Sequence, residues 1–236
     1  MRLLLFDIDG TLISVERRAS RSMLRRVIEE VFELSIPQEF DIQLGGKTDY
    51  QIMTETAQKL NLPVHVVEEK RQHIHDLLTE RTAQLASTAT IRMLEGVKVL
   101  LQECSECEDI ALALLTGNLE TTAYLKLRPH GLDVYFPTGA FGSDHTDRAM
   151  LPPIAWQRAQ EHYSSIYGYT LQFHAKNTLI IGDTLNDIRC AKAHGIKTLA
   201  VATGPHSTEE LYAAGAEFVV ENFADVRTIM DIVQYF

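Results

Sequence analysis

The chain begins with a short apolar run that ends in an acid. Residues 3–6 offer no polar face, so they predict a short strand buried on both sides, as in a parallel sheet covered by helices. Asp7 follows this strand directly, and Asp9 can point to the same side two residues later. The carboxyl ends of parallel strands form the ligand crevice of an open sheet. The sequence therefore predicts two carboxylates held side by side in such a crevice.

Two neighbouring carboxylates repel each other. The repulsion is roughly 4 kcal/mol at a separation of about 4 Å and an effective dielectric constant near 20. A cation bound between the two groups, or a proton on one of them, removes this repulsion. The pair Asp7 and Asp9 therefore indicates a metal site or an acid–base site.

From residue 96 onward, apolar runs of strand length alternate with stretches of helical periodicity. The predicted strands are residues 109–115, 138–141, 177–181, 197–202 and 217–220. Repeated strand–helix units predict an α/β protein with a Rossmann-like, doubly wound parallel sheet and right-handed crossovers.

A block of helical periodicity interrupts this pattern after the first strand. Apolar residues recur on one face of each predicted helix, at residues 16–34, 50–60 and 63–85. The block ends in a small, polar run at residues 86–90, which is typical of a linker. We therefore expect an α/β core made of residues 1–14 and 89–236. An all-helical cap of residues 15–88 is expected to act as a lid over the strand ends.

Two later strands also end in chemically useful groups. Thr116, Gly117 and Asn118 combine a hydroxyl with backbone N–H groups at the start of a helix, an arrangement that suits an anion. Asp183 follows an apolar strand, and Asp187 lies in the first turn of the next helix. Carboxylates from separate strands suit a hard cation such as Mg²⁺. Asp187 alone also fits an ordinary charge at a helix start.

Residues 7–12 resemble the first motif of the haloacid dehalogenase-like hydrolase superfamily, whose phosphatase branch reads Asp-x-Asp-Gly-Thr. Thr116 resembles its second motif, and residues 179–187 resemble its fourth. The helical insertion after the first motif is similar to the type 1 cap of the phosphoglycolate phosphatase-like branch.

The resemblance implies a Mg²⁺-dependent phosphatase that works through an aspartyl-phosphate. Asp7 would be the nucleophile, and Asp9 the general acid and base. The metal would be held by Asp7, the backbone carbonyl of Asp9, and Asp183. Asp187 would orient the metal or its waters.

The resemblance also implies groups that bind the phosphoryl oxygens. Thr116, Gly117 and Asn118 would take part of this role. The family places a Lys or Arg in a third motif, and Arg148 is the best match in position, with a surface arginine as the ordinary alternative. Lys176 is the reserve candidate.

In the predicted cap, residues 45–49 resemble the Gly-x-Thr-Asp stretch that related caps point at the active site. Lys47 or Thr48 is therefore expected to contact substrate, the alternative being an ordinary helix start. A nucleotide-binding loop is a poor match, because that pattern needs a glycine where Asp41 stands. Cys104 and Cys107 have C-x-x-C spacing, but no second pair accompanies them, so we expect reduced, incidental thiols.

Charge and hydropathy restrict the partners. The formal net charge of −10 argues against binding of nucleic acid over a broad face. No apolar run approaches the roughly 20 residues that cross a bilayer, so no membrane partner is expected and the cytoplasm is the expected location. The expected partner is a small phosphorylated metabolite.

Single residues also bear on the alternatives to a phosphatase. Asp9 argues against the dehalogenases and phosphonate-cleaving members that the chain resembles, because these lack the second acid. A sugar phosphomutase of the same superfamily and a catalytically silent binding or regulatory member stay as alternatives. The sequence leaves the oligomeric state and the physiological substrate open.

Overall fold

A six-stranded parallel sheet forms the centre of the computed structural model, which describes residues 1–87 and 90–236. Its strands are β1 (Arg2–Phe6), β4 (Ile110–Leu115), β5 (Gly139–Ala140), β6 (Thr178–Gly182), β7 (Lys197–Val201) and β8 (Phe218–Val220). They lie in the order β5-β4-β1-β6-β7-β8, so the first strand is internal. Each observed strand end lies within one residue of the predicted end. The predicted α/β fold is therefore confirmed.

The strand register brings three strand ends to one edge of the sheet. Phe6, the last residue of β1, pairs with Leu114 in β4 and with Ile181 in β6. The residues that follow these strands therefore emerge side by side.

Alternate residues of β1 pack into two different hydrophobic layers. Leu4 and Phe6 face one layer, which includes residues of α5 (Val97–Glu106), α6 (Glu120–Leu127) and α10 (Val226–Tyr235). Leu3 and Leu5 face the other, which includes residues of α7 (Leu151–Tyr167) and α8 (Leu185–Ala193). A further helix, α9 (Thr208–Ala213), contacts β8. Burial on both faces explains why β1 has no polar residue between its ends.

Within residues 15–87, the inserted segment contains four helices, whose buried side chains form a hydrophobic cluster together with Leu119 of the core. They are α1 (Arg17–Phe32), α2 (Asp49–Lys59), α3 (His65–Glu69) and α4 (Arg71–Ser87). The single helix predicted over residues 63–85 is therefore two helices. The break lies at Lys70, whose ammonium donates to the carbonyl of Val31 at 2.6 Å, near the end of α1.

Two short strands were missed by the sequence interpretation. β2 (Ile13–Val15) and β3 (Ile91–Met93) pair in antiparallel fashion where the chain enters and leaves the helical segment. Three residues are too few to produce a recognisable alternation. The predicted cap boundary at residues 88 and 89, and with it part of the predicted linker, lies outside the described residues, so the domain limits stay a prediction.

Two other expectations can be compared with the structure. All three cysteines are free thiols. Across residues 1–87 and 90–236, no helix combines the length and apolar character needed to cross a bilayer.

Candidate active site

Three buried polar side chains follow the adjacent strand ends. Asp7 follows β1, Thr116 follows β4 and Asp183 follows β6, and each is at most 4 % exposed. They line one cavity of about 1070 Å³, whose walls also include residues of the inserted helices. One carboxylate oxygen from each of Asp7, Asp183 and Asp187 can be chosen so that all three lie within 4.8 Å of one another. The sheet register thus gathers acids that are more than 170 residues apart in the chain.

This acidic group is electrostatically unfavourable even with the guanidinium of Arg148 beside it. Burial raises the pKa of Asp7 to about 6; Asp187 and Asp9 add to this effect, and the guanidinium of Arg148 opposes it. Burial, together with the carboxylates of Asp7 and Asp187, also raises the pKa of Asp183 well above its ordinary value. Each shift means that the ionised carboxylate lacks sufficient stabilisation. A divalent cation would supply it.

The space beside Asp183 is kept free by glycines. A Cβ atom on Gly10 would lie 2.2 Å from Oδ2 of Asp183, and one on Gly204 would lie 1.8 Å from it. Gly10 also has a φ of +88°, which favours glycine. The hydroxyl of Thr11 donates to the other oxygen, Oδ1, at 3.1 Å and fixes the carboxylate. These hard oxygen donors, buried and closely spaced, fit a Mg²⁺ ion.

Arg148 is a buried cation between two of the acids. Its Nη2 atom lies 3.2 Å from Oδ1 of Asp7 and also contacts Oδ1 of Asp187. The same atom donates to the carbonyl of Leu115 at 3.0 Å, while Nη1 donates to that of Gly46 at 3.3 Å. Burial opposes its charge, but Asp187 and Asp7 raise its pKa above the ordinary value. Arg148 therefore stays charged beside Asp7.

The reserve candidate for this role lies elsewhere. Lys176 is in a short 3-10 turn just before β6 begins, at Ala175–Asn177. The acids gather at the carboxyl ends of the strands, so Lys176 is at the opposite end of the sheet. The structure excludes it from the site.

Both carboxylate oxygens of Asp187 already accept hydrogen bonds from protein groups. The backbone N–H and hydroxyl of Thr184 donate to its Oδ2 at 3.0 and 2.6 Å. The N–H of Asp187 donates in return to the hydroxyl oxygen of Thr184 at 3.4 Å, which completes the capping box of α8. Its Oδ1 atom is held by Arg148. The structure therefore gives Asp187 two functions of its own, closing the start of α8 and anchoring the buried arginine.

A second network surrounds Asp9. Its Oδ2 atom accepts hydrogen bonds from Nδ2 of Asn118 at 2.8 Å and from Nζ of Lys126 at 2.6 Å. Lys126 also donates to Oδ1 of Asn118 at 2.6 Å, and Nδ2 of Asn118 lies 2.8 Å from Oγ1 of Thr116. The side chain of Asp9 is 38 % exposed, unlike those of the other acids. Asp9 is thus held at the accessible side of the site.

Sequence reasoning missed Lys126. A signal was present, because α6 buries Ala123 and Leu127 and Lys126 lies three residues after Ala123 on nearly the same face. A charged residue on such a face needs a partner. The partner is Asp9, which lies 117 residues earlier in the chain.

A loop of the inserted segment, residues 45–49, forms hydrogen bonds with the core. The backbone N–H of Asp49 donates to the carbonyl of Gly117 at 2.9 Å, and the N–H of Leu119 donates to Oδ2 of Asp49 at 3.0 Å. A Cβ on Gly117 would lie 2.0 Å from the carbonyl oxygen of Lys47, so this contact requires glycine. Asp49 also lines the cavity, and burial raises its pKa to about 6 against the opposing charge of Lys126.

The two residues expected to contact substrate from this loop differ in position. Lys47 lines the cavity and forms an ion pair with Glu55. Thr48 is completely buried, caps α2 by accepting from the N–H of Gln51 at 3.1 Å, and donates to the carbonyl of Thr146. The structure therefore gives Thr48 a capping function and leaves Lys47 facing the cavity.

Comparison with known proteins gave consistent results. Residues 4–201 match the family model described as haloacid dehalogenase-like hydrolase. A probable phosphatase IndB of Dickeya dadantii is 25 % identical, over 95 % of this chain and 91 % of its own. A phosphoglycolate phosphatase of Vibrio cholerae is 24 % identical, over 99 % and 97 %.

Solved structures share the fold over nearly the whole chain. A hydrolase from Pseudomonas syringae has a TM-score of 0.67 at 18 % identity and covers 99 % of both chains. CbbY from Rhodobacter sphaeroides, in complex with phosphate, has a TM-score of 0.63 at 21 % identity and covers 96 % of both.

Proposed function

The chain belongs to the haloacid dehalogenase-like hydrolase family, and we propose that it is a Mg²⁺-dependent phosphatase acting on a small phosphate monoester. The observation that carries the proposal is the meeting of Asp7 and Asp183 in a buried cavity beside the guanidinium of Arg148. The names of relatives agree with it, since they include phosphoglycolate phosphatases and the pyrophosphatase PpaX.

In the proposed first step, a carboxylate oxygen of Asp7 attacks the phosphorus of the ester. The bond between phosphorus and the leaving oxygen breaks, and the carboxyl group of Asp9 gives that oxygen its proton. The products are an alcohol and an aspartyl-phosphate at Asp7. The partial exposure of Asp9 suits a group that meets the leaving alcohol and exchanges protons with solvent.

In the second step, Asp9 takes a proton from a water molecule as that water attacks the phosphorus. The bond between phosphorus and Asp7 breaks, which releases inorganic phosphate and restores the nucleophile. Phosphate-monoester hydrolysis is among the slowest uncatalysed reactions, needing accelerations of up to ~10²¹. Positioning of the reacting groups and neutralisation of their charge must therefore supply most of this acceleration.

The residues that hold the phosphoryl group are Arg148, Thr116 and the backbone around Gly117 and Asn118. Arg148 already lies 3.2 Å from the nucleophile, so it can neutralise a phosphoryl oxygen close to the attacking atom. The hydroxyl of Thr116 is held by Asn118 and lines the same cavity.

The cofactor of the proposal is Mg²⁺. Asp7, the backbone carbonyl of Asp9 and Asp183 would hold it, with Asp187 close by. When bound, the ion neutralises charge between an anionic nucleophile and an anionic phosphate. The raised pKa values of Asp7 and Asp183 support a cation at this position, since both carboxylates are buried without enough compensating charge.

Lys126 is a positioning residue in this proposal. It bridges Asp9 and Asn118, and so ties the acid–base group to the side chain that fixes Thr116. Orientation of Asp9 toward the leaving oxygen then depends on a contact outside the reacting atoms.

The experiment is turnover of p-nitrophenyl phosphate and of a panel of phosphorylated metabolites with and without Mg²⁺. The proposal expects hydrolysis that chelation abolishes and that Asp7→Asn reduces by at least about 10³-fold. Conversion of a sugar phosphate to its isomer without release of phosphate would indicate a phosphomutase. Binding of phosphate esters without any turnover would indicate a silent member.

A further inference from the structure

One part of the cavity wall has no function in the proposed reaction. It consists of the start of α1, which places Arg17, Arg18 and Arg21 along the cavity that contains Asp7. All three side chains belong to exposed residues. We call these three residues the arginine cluster.

The arginine cluster lies in the first turns of α1, where the helix dipole disfavours positive charge. The first turns of a helix carry the positive end of its dipole, which favours acids over bases. Here the first turn of α1 contains no acid, and the N-cap residue Glu16 uses its carboxylate to accept from the N–H of Ala19. The whole chain has 32 acidic and 22 basic side chains, so three bases in five residues also run against its overall charge.

The arginine cluster has few acidic partners. Arg21 lies 3.7 Å from Asp41, and both of these side chains are about 60 % exposed, so the pair is weak. In the part of the chain that the structure describes, no carboxylate lies within 4.0 Å of Arg17 or Arg18. Arg25, one turn further on, differs from them because it is committed to the carbonyls of Ile36 and Pro37. The cluster is therefore available to an external anion.

We propose that the arginine cluster is a second anion subsite, and that the preferred substrate is a phosphate monoester that carries another anionic group. This inference rests on the proposed phosphatase function. The reacting phosphoryl group is already provided for by Arg148 and Thr116, so the cluster serves a different part of the substrate. Guanidinium groups bind carboxylates and phosphates through two parallel hydrogen bonds, and either group fits as the second anion. The cavity of about 1070 Å³ has room for a substrate larger than phosphate alone.

The test compares three short phosphate esters that carry different second groups. Ethyl phosphate has none, 2-phosphoglycolate has a carboxylate, and ethylene glycol bisphosphate has a phosphate. The wild-type enzyme is expected to show a higher kcat/KM for at least one of the two doubly anionic esters than for ethyl phosphate. The preference between carboxylate and phosphate identifies the second group.

The test variant is Arg17→Gln/Arg18→Gln/Arg21→Gln, which keeps side chains that form helices well. We expect it to lower kcat/KM for the preferred ester by about tenfold or more, mainly through KM, and to change ethyl phosphate by less than about twofold. The matched control is Arg26→Gln, an exposed residue of the same helix that does not line the cavity. It should leave all three substrates unchanged.

Equal losses on all three substrates, no change on any, or a wild-type enzyme with no preference for a second anion would each overturn the subsite. Calorimetric binding of 2-phosphoglycolate and of ethylene glycol bisphosphate to Asp7→Asn protein, with and without the three arginine substitutions, tests it without turnover. Weaker binding in the substituted protein supports the subsite even if the phosphatase proposal fails, and unchanged binding of both ligands overturns it.

Discussion

The ammonium of Lys126 lies 2.6 Å from a carboxylate oxygen of Asp9, although the two residues come from different strand–helix units. Lys126 is 12 % exposed and Asp9 is 38 % exposed, so the pair stands at the border between the buried acids and the open cavity. A lysine in this position restrains the carboxylate that the proposed mechanism uses as acid and base.

We predict that Lys126→Met lowers kcat about 10- to 100-fold and changes KM little, because it frees Asp9 without removing a group that binds phosphate. Lys126→Arg should restore part of the loss, since it can still donate to Asp9. Steady-state kinetics on p-nitrophenyl phosphate measures both effects, with the exposed Lys98→Met as control. An equal loss in Lys126→Arg and Lys126→Met, or a change confined to KM, would contradict the positioning role.

Gly204→Ala provides a steric test of the metal site. The new Cβ would lie 1.8 Å from Oδ2 of Asp183, so that carboxylate must move. We expect the apparent affinity for Mg²⁺ to fall more than about tenfold, and the rise in melting temperature on adding Mg²⁺ to shrink. Gly131→Asn is a suitable control, because nothing lies within 4 Å of a Cβ there and Asn tolerates its positive φ. Unchanged Mg²⁺ affinity in Gly204→Ala would place the metal away from Asp183.

Arg148→Met tests the charge balance of the buried acids. Its removal leaves Asp7 and Asp187 without their buried cation, which is expected to lower the free energy of unfolding by about 3–5 kcal/mol. Because Mg²⁺ adds positive charge beside the same acids, part of this loss should return at millimolar Mg²⁺. Urea unfolding with and without Mg²⁺ measures both. A variant as stable as wild type, or a loss that Mg²⁺ does not reduce, would refute this assignment.

Asp49→Asn tests the cost of a half-buried charge between the inserted segment and the core. The pKa of Asp49 is raised from 3.8 to about 6, so between these pH values the folded state binds the proton more tightly than the unfolded state. This group therefore makes the protein less stable as pH rises from about 4 to about 6. Asn keeps an acceptor for the N–H of Leu119 and lacks the charge.

The stability advantage of Asp49→Asn over wild type should grow across that pH range, by up to about 3 kcal/mol, and then level off. Urea unfolding at several pH values between 4 and 7.5 measures it. A stability difference that does not change with pH would show that the folded protein does not raise the pKa of Asp49.

Much of this site could be predicted from local sequence. The apolar runs before Asp7 and Asp183 indicated buried strands, and the parallel register then places both acids at one edge of the sheet. The resemblance to the hydrolase family, based on a few residues at strand ends, is confirmed over residues 4–201. Continuous apolar runs and the chemistry of the residues that follow them are local properties, so a single sequence records them.

The parts that were missed depend on tertiary contacts. The bond between Lys126 and Asp9 joins two elements whose distance in space no local pattern records. The break between α3 and α4 coincides with a contact of Lys70 to the end of α1, and β2 and β3 pair across the whole inserted segment. The capping function of Thr48 is a partial exception, because a threonine before a helix is a known N-cap signal.

The most direct test of the proposed chemistry is the identification of the residue that carries phosphate during turnover. The enzyme is mixed with substrate and Mg²⁺, quenched in acid within milliseconds, digested and analysed by peptide mass spectrometry. We expect a phosphoryl group on Asp7, formed at least as fast as the enzyme turns over and missing from Asp7→Asn. Steady release of phosphate with no phosphorylated enzyme at any time, or with the phosphoryl group on another residue, would contradict it.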